Sequence, residues 1–432
     1  MAEICPFQAW RYDAARFPLS SVVTQPYDKI TPHMQERYYQ SSPHNLVRII
    51  LGKSEPEDPA NNVYSRAASY FKDWRTTGVL IQDREPSIYV YSQRFQAPGE
   101  SGRELERRGF IALGKLHDYS EGVVFRHEQT LSKPKADRLN LLRATKAHFG
   151  QIFMLYDDPG REIEALLNTT HAPVAEVRDD YGVLNRLWKI SNPGDISNLQ
   201  RAFGPRKLII ADGHHRYETA LNYRNERRVE RPATGQMPYD YLMMTFVNLH
   251  SPGLVILPTH RVVSDLPGFD DERFITRAAE FFKIKKLNSG QSAAALTAHL
   301  RSLPPEDNPL LAVTPTNDYV LSPLPEESHA ALSSSSERQR KLDVVVLHKL
   351  LLERVLGLSE DAIREQKHVS YLRDPAEAVA HVRRRQANVT FLMNPVKAEQ
   401  MRDVALAGEL MPQKSTDFYP KLLSGLAIYA LD

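Results

Sequence analysis

One cysteine, Cys5, stands in 432 residues, so no disulfide can form within the chain, and the lone thiol has no partner for redox chemistry. No run of about 18 apolar residues occurs, which excludes a helical membrane span. The opening MAEICPFQAW carries Glu3 and no apolar stretch of signal-peptide length, so export is not expected and a cytoplasmic location is. Charge of one sign is lacking too. Fifty-five Lys plus Arg against 53 Asp plus Glu leave +2, far from the basic surplus that binding a phosphate backbone favours, so nucleic acid is not an expected partner. There is no Walker A or kinase-type glycine-rich loop, no i, i+4 histidine pair of a zincin and no internal repeat.

What is present is an ordinary globular composition, 42% hydrophobic and 25% charged, over a length that suits two or three packed units. YSRAASYFKDW (64–74) has helical spacing. PSIYVYSQRF (86–95) and ERRGFIALGKL (106–116) read as two strands of an antiparallel hairpin around the Gly- and Pro-bearing APGESGRE. A helix is expected from about Lys135, a buried strand at QIFMLYDD, a helix from Asn198, and further strands at MMTFVNL and GLVILPTH. FDDERFITRAAEFF reads as a helix, SSSSERQRK as a solvated loop, and the C-terminal part as helix, strand NVTFLMN, helix and loop. The order of elements is too irregular for a doubly wound sheet, so the expected class is α+β.

Chemistry concentrates in LIIADGHHRYETAL (208–221). A short β-branched run followed by DGHHR and a helix-forming stretch places Asp212 and Gly213 at a strand end and helix start, where backbone N–H groups can meet anionic oxygens. His214, His215 and Arg216 add donors and positive charge, and Arg216 is able to take two phosphate oxygens. As a purely structural feature, Asp212 would be an N-cap. Adjacent histidines on a helix point apart, which speaks against a transition-metal site; Asp212 suits magnesium carried by substrate phosphates.

In HEQTLSKPKADR (127–138), Glu128 follows His127 and precedes Lys133, Lys135 and Arg138. A carboxylate near cations stays ionised, which suits a general base for a hydroxyl. In MPQKSTDFYPK (411–421), Lys414, Ser415 and Thr416 offer one charge and two hydroxyls to an anion. QPYDKI and HNLVRII contain Asp28, Asn45 and Arg48 in apolar or turn settings, where structural roles are favoured and no specific use can be assigned.

These three constellations, in this order, resemble the free L-serine kinases of the ParB-like superfamily, with His127, Glu128 and Gln129, then Asp212 to Arg216, then Pro412, Lys414, Ser415 and Thr416, where Gln413 separates proline from lysine. QPYD near the start and DGHHRYETAL in the middle also resemble a large bacterial and archaeal family long labelled a domain of unknown function. The resemblance covers about half the chain; the first hundred or so residues and Asp157 to Pro205 exceed the smaller kinases.

It implies a ParB/sulfiredoxin-like mixed α/β core with added N- and C-terminal α/β segments: 1–115 with the hairpin, 116–265 as catalytic core with HEQT and DGHHR, and 266–432 carrying PQKST. It implies further that Glu128 takes the proton from a serine hydroxyl and that Asp212 positions that hydroxyl or Mg²⁺. Gly213, His214, His215, Arg216 and Lys414 would bind the donor phosphates; His127, Ser415 and Thr416 would bind substrate. The partners implied are L-serine or a similar small molecule and ADP, ATP or pyrophosphate, among which the sequence does not choose. A ParB-like nucleotide-binding switch and a phosphoanhydride hydrolase are the alternatives.

Overall fold

Strand-forming runs that are predominantly apolar, rather than alternating, must be covered on both faces. YLMMTFVN and IFMLY are of this kind, and both are buried throughout. In the computed structural model they lie inside a large sheet. It describes residues 1–54, 61–99, 102–128, 133–167, 169–232 and 234–432, except the side chains of Lys133 and Pro134. Gln129 and Thr130 of the HEQT segment, and the Lys133 side chain, lie outside what is described.

Two compact units divide the chain: Met1–Arg126, Thr130–Val255 and Pro420–Asp432 form the first, His127–Gln129 and Ile256–Tyr419 the second. Three consecutive segments were expected. One sheet of the first unit takes strands from both sides of the expected boundary at 115/116.

That sheet, in the first unit, has nine strands: β1 (Ile4–Cys5), β2 (Ile88–Gln96), β3 (Glu104–Lys115), β4 (Val124–Phe125), β5 (Ile152–Tyr156), β6 (Ala175–Arg178), β7 (Leu184–Ile190), β8 (Leu208–Asp212) and β9 (Tyr241–Asn248). Their order is β4-β8-β5-β9-β3-β2-β7-β6, with β1 also on β3. The expected hairpin is β2 with β3, antiparallel, Tyr89 opposite Ile111. The β8/β4 and β9/β5 pairs are parallel, and the mixture makes the chain α+β.

Gly109 on β3 has no alternative residue: a Cβ there would sit 2.2 Å from the Phe246 carbonyl oxygen. Beneath it Phe110 stacks on Phe246 at 5.1 Å, and Phe203 meets Phe246 edge-on at 4.9 Å. Such aromatic pairs add about 0.5–1.5 kcal/mol each beyond their burial.

The helices of this unit include α1 (Val63–Thr76), α2 (Lys133–Thr145), α3 (Pro193–Phe203) and α4 (His214–Glu230). α3 starts before the expected Asn198. Asn192 caps it, accepting from Gly194 N at 2.8 Å and Asp195 N at 3.2 Å, and Pro193 sits at the first helical position, where its missing N–H costs nothing.

The second unit has a six-stranded antiparallel sheet: β10 (His260–Val263), β11 (Phe282–Lys286), β12 (Leu310–Val313), β13 (Asp318–Pro323), β14 (Val369–Leu372) and β15 (Val389–Leu392), in the order β11-β13-β12-β15-β10-β14. Its helices include α5 (Asp271–Ala278), α6 (Ala293–Ser302), a π-helix over Leu347–Val355, α7 (Pro375–Arg383) and α8 (Ala398–Leu406). The helix expected through FDDERFITRAAEFF stops at Ala278, because buried Phe282 pairs with Pro323 as a strand. Within SSSSERQRK, expected as loop, Glu337–Arg340 makes one helical turn capped by Ser336. No helix among the described residues is long and apolar enough to cross a membrane.

Candidate functional site

Strand β8 ends as the sequence suggests, but its last residue is aimed by a register shift. Pairing of β8 with β5 is in step to Ile210 and shifts before Asp212. A bulge of this kind re-aims a side chain at a strand end. Gly213 follows at φ 98°, a left-handed conformation that opens α4 and favours glycine. Asp212 does not cap the helix; no side chain does.

The Asp212 carboxylate instead faces cations from the helix it leads into and from two distant segments. Arg216, one turn on, lies 3.5 Å away and Lys421 3.7 Å away. Burial works to raise the Asp212 carboxyl, and the combined pull of Lys421, Arg216, Lys29 and His214 overrides it, holding the group well below the usual carboxylate range. Arg216 also donates to the Gln151 carbonyl at 2.5 Å, so its fork is divided rather than wholly open to two phosphate oxygens as expected. A cavity of about 70 Å³, lined by Tyr27, Leu142, His148, Phe149, Arg216 and Ser424, adjoins it. His214 is buried at the first helical position, and the His215 side chain is half-buried on the same turn.

Behind Asp212 runs a buried polar network. Arg107 donates to Gln93 Oε1 and to the Pro420 carbonyl, its guanidinium 4.6 Å over the Phe153 ring. Gln93 Nε2 donates to Asn185 Oδ1 at 3.0 Å and to the Lys421 carbonyl at 2.9 Å. Burial pushes Arg107 down to about 10, with Tyr91 and Asp212 pulling the other way, so it is charged at neutral pH. The network holds the chain's last segment where Lys421 meets Asp212. With more cations than carboxylates, the cluster suits an anion of several charges, phosphate above all.

Magnesium was expected at Asp212. Among the described residues no three His, Cys, Asp or Glu side chains group as metal ligands. One carboxylate fits magnesium only as an ion brought by phosphate oxygens, which supply the remaining ligands.

The second unit contains the other two motifs, and it joins them. The HE segment makes a parallel bridge from Glu128 to Met411, with Met411 N donating to the His127 carbonyl at 2.8 Å. Glu128 Oε1 accepts from Thr416 N at 2.9 Å and from the Thr416 hydroxyl at 3.0 Å, across 288 residues of sequence. Thr416 has a single hydroxyl proton, given to Glu128, so the 2.7 Å contact with His127 Nε2 is a donation from the imidazole N–H. Thr416, His127 and Glu128 thus form one chain of hydrogen bonds.

Ser415 is buried, its hydroxyl donating to the Pro412 carbonyl at 2.5 Å, which closes the turn; Lys414 is exposed and left-handed, φ 58°. Two of the cations that follow Glu128 in sequence, Lys135 and Arg138, are engaged elsewhere. Lys135 pairs with Glu218, and Arg138 pairs with Asp137, donates to the Ile50 carbonyl and covers the Tyr27 ring, all in the first unit. Arg261 is electrostatically tied to Glu128.

Asn45 and Arg48 secure backbone. Asn45 Nδ2 donates to the Ser21 carbonyl at 2.8 Å, and Arg48 donates to the Tyr39 carbonyl at 2.9 Å; Asp28 is exposed. Sequence reasoning missed Lys29, Arg107, Lys421 and Arg261. Each arginine stands in a strand-forming run, Arg107 in ELERRGF and Arg261 in HRVV, and a charge that a sheet buries must be compensated. Lys421, last cation before LLSGLAIYAL, carries no comparable mark.

No curated protein matches the chain. Among solved structures, it is similar to a conserved hypothetical protein from Pyrococcus furiosus (11% identity, TM-score 0.36, 71% of this chain and 91% of that one). Similar too are a free serine kinase in complex with AMP (12%, 0.33, 68% and 83%) and SbnI with a C-terminal truncation from Staphylococcus aureus (10%, 0.36, 73% and 85%). The family described as protein of unknown function (DUF1015) matches residues 4–345, most of the chain, and the protein belongs to that family.

Proposed function

We propose that this protein is a phosphotransferase that converts free L-serine to O-phospho-L-serine, built around a ParB/sulfiredoxin-like core. The observation that carries the reading is the convergence of the HE and PQKST motifs on Glu128 Oε1, which accepts both the N–H and the hydroxyl of Thr416. Hydrogen bonds to the charged form favour a carboxylate, and an ionised carboxylate held by its neighbours can take a proton from an alcohol. Glu128 would accept the hydroxyl proton as the serine oxygen attacks the terminal phosphorus. The bond from that phosphorus to its bridging oxygen breaks, and the electron pair leaves with AMP, ADP or phosphate according to the donor.

Arg216, Lys421 and Lys29, with Gly213, His214 and His215, would hold the donor phosphates and neutralise charge spreading over them, the main protein contribution in phosphoryl transfer. Magnesium, shared between the phosphates and Asp212, would supply further neutralisation. Ser415, Thr416 and His127 would shape the acceptor side, and Lys414 would add a charge for the donor phosphates.

Phosphorus NMR on the protein with magnesium, L-serine and, in separate tubes, ADP, ATP or pyrophosphate tests this. A phosphoserine resonance in one tube identifies the donor; donor loss without it means hydrolysis, and no change in any tube removes the reading. Glu128→Gln is expected to abolish transfer and leave donor affinity within about threefold, since the shape is kept and only the basic charge is lost. Retained turnover would remove Glu128 from the role of base.

A further inference from the structure

We infer that Arg261 is a positioning residue, whose buried guanidinium holds the Gln413–Lys414 turn so that Thr416 presents both of its donors to Glu128. The inference rests on reading Glu128 as the base, and concerns how the second unit sets that base.

Arg261 lies on β10, fully buried, in a strand whose four residues are all buried. Its Nη2 donates to the carbonyls of Gln413 at 3.4 Å and Lys414 at 3.2 Å, its Nη1 to the Thr259 carbonyl, and its Nε to His348 Nε2 at 3.3 Å. The Met393 sulfur lies 3.3 Å from Nη1, and the Tyr371 ring packs 5.1 Å from the guanidinium carbon. These direct partners are all neutral. The carboxylate that answers its charge is Glu128: burial pushes Arg261 down to about 10, and Tyr371 and Glu128 pull against that.

The turn it grips requires gripping. Lys414 is left-handed, a conformation unfavourable for a non-glycine residue that persists only where its surroundings enforce it. Two residues later come the N–H and hydroxyl that Glu128 accepts. Gln413 fastens the turn from its other end, with Nε2 donating to the Ile363 carbonyl at 2.9 Å and to the Tyr371 hydroxyl at 3.3 Å. His348, which orients the Arg261 fork, stands in the π-helix, an irregular element common near functional sites. A planar fork reaches two successive carbonyls; a lysine ammonium keeps the charge but does not fix that geometry.

The test is a carbon-13 NMR titration of Glu128 in protein labelled at the glutamate carboxyl carbons, assigned by the loss of its resonance in Glu128→Gln, without donor or acceptor. Arg261→Lys, Arg261→Met and Thr416→Val are compared with the unmodified chain, folding being checked by amide spectra. Arg261→Lys is expected to raise the Glu128 titration midpoint by about one pH unit, because hydrogen bonds to the carboxylate are lost while the positive charge remains. Thr416→Val should do the same, and the double variant should shift no further than Thr416→Val alone. A merely structural Arg261 would lower stability and leave the midpoint where it is. A folded Arg261→Lys titrating with the unmodified chain overturns the inference, as does full additivity in the double variant. Because the titration needs no turnover, a failed phosphoserine assay would sink the kinase reading and leave this result standing, and the reverse also holds.

Discussion

Replacing Asp212 with asparagine removes one negative charge from a group of cations and changes little else. At 3.7 Å from Lys421 and 3.5 Å from Arg216, each pair has a gross attraction of about 4.5 kcal/mol at an effective dielectric of about 20. Desolvation cancels much of this, but deleting one partner of a buried ion group leaves the others uncompensated and costs roughly 3–5 kcal/mol. The Asp212 side chain is 26% exposed, which places the expected loss at the lower end, about 3 kcal/mol. The three tryptophans, Trp10, Trp74 and Trp188, all belong to the first unit, so the urea transition followed by their fluorescence reports the unit that contains Asp212.

The sign of the pH effect follows from the depressed carboxyl. Its contribution is complete above the unfolded value, about 3.9, and is lost as pH falls through the lower folded value, so the gap between Asp212→Asn and the unmodified chain should be full at pH 7 and shrink in acid. Pyrophosphate, without magnesium, should restore the variant, since an anion takes the place of the lost charge; at a hundred times its dissociation constant it adds about 2.7 kcal/mol. The unmodified chain should gain less. A variant within about 0.5 kcal/mol of the unmodified chain at neutral pH would refute the reasoning, because that is the ordinary scatter of a surface substitution. So would sodium chloride of equal ionic strength restoring as much as pyrophosphate does.

Gly213→Ala should cost about 1–2 kcal/mol by the same fluorescence transition, since φ is 98° and the new Cβ would lie 3.0 Å from Ile152 Cδ1 and 3.2 Å from Arg216 Nη2; an unchanged midpoint would remove the strain argument. Lys421→Met should weaken pyrophosphate binding, measured by calorimetry, about tenfold or more, while Lys421→Arg keeps most of it, the loss being one direct charge-assisted contact of about 1.5–3 kcal/mol; equal affinities in all three proteins would exclude Lys421 from the cradle. Burial, then Arg261, push His260 down to about 4. The unfolded histidine takes its proton near 6.5, so the His260 contribution to stability of the second unit is full above that value and is lost, by up to about 3 kcal/mol, as pH drops from 6.5 to 4. Hydrogen exchange of β12 and β15 amides should show this, and His260→Asn should flatten it; an equal pH dependence in both proteins would contradict the assignment.

What the sequence determined by itself is local. The β2/β3 hairpin, the strand, glycine turn and helix at DGHHR, and the loop at PQKST depend on side-chain period and turn chemistry within some ten residues, and the structure has them where the pattern puts them. Glu128 and Asp212 were legible as candidates because carboxylates beside donors at element ends are few. Their surroundings were not. Lys135 and Arg138, which follow Glu128 within ten residues, serve other residues, while Thr416, 288 positions away, supplies its hydrogen bonds. Which strand pairs with which, that the bulge before Asp212 turns its carboxylate, and that Lys421 and Arg261 are brought in from remote segments are decided by tertiary packing. The reason is physical: a buried charge must find compensation wherever the closed sheets supply it, and strand order in a mixed sheet leaves no trace in the period of any single strand.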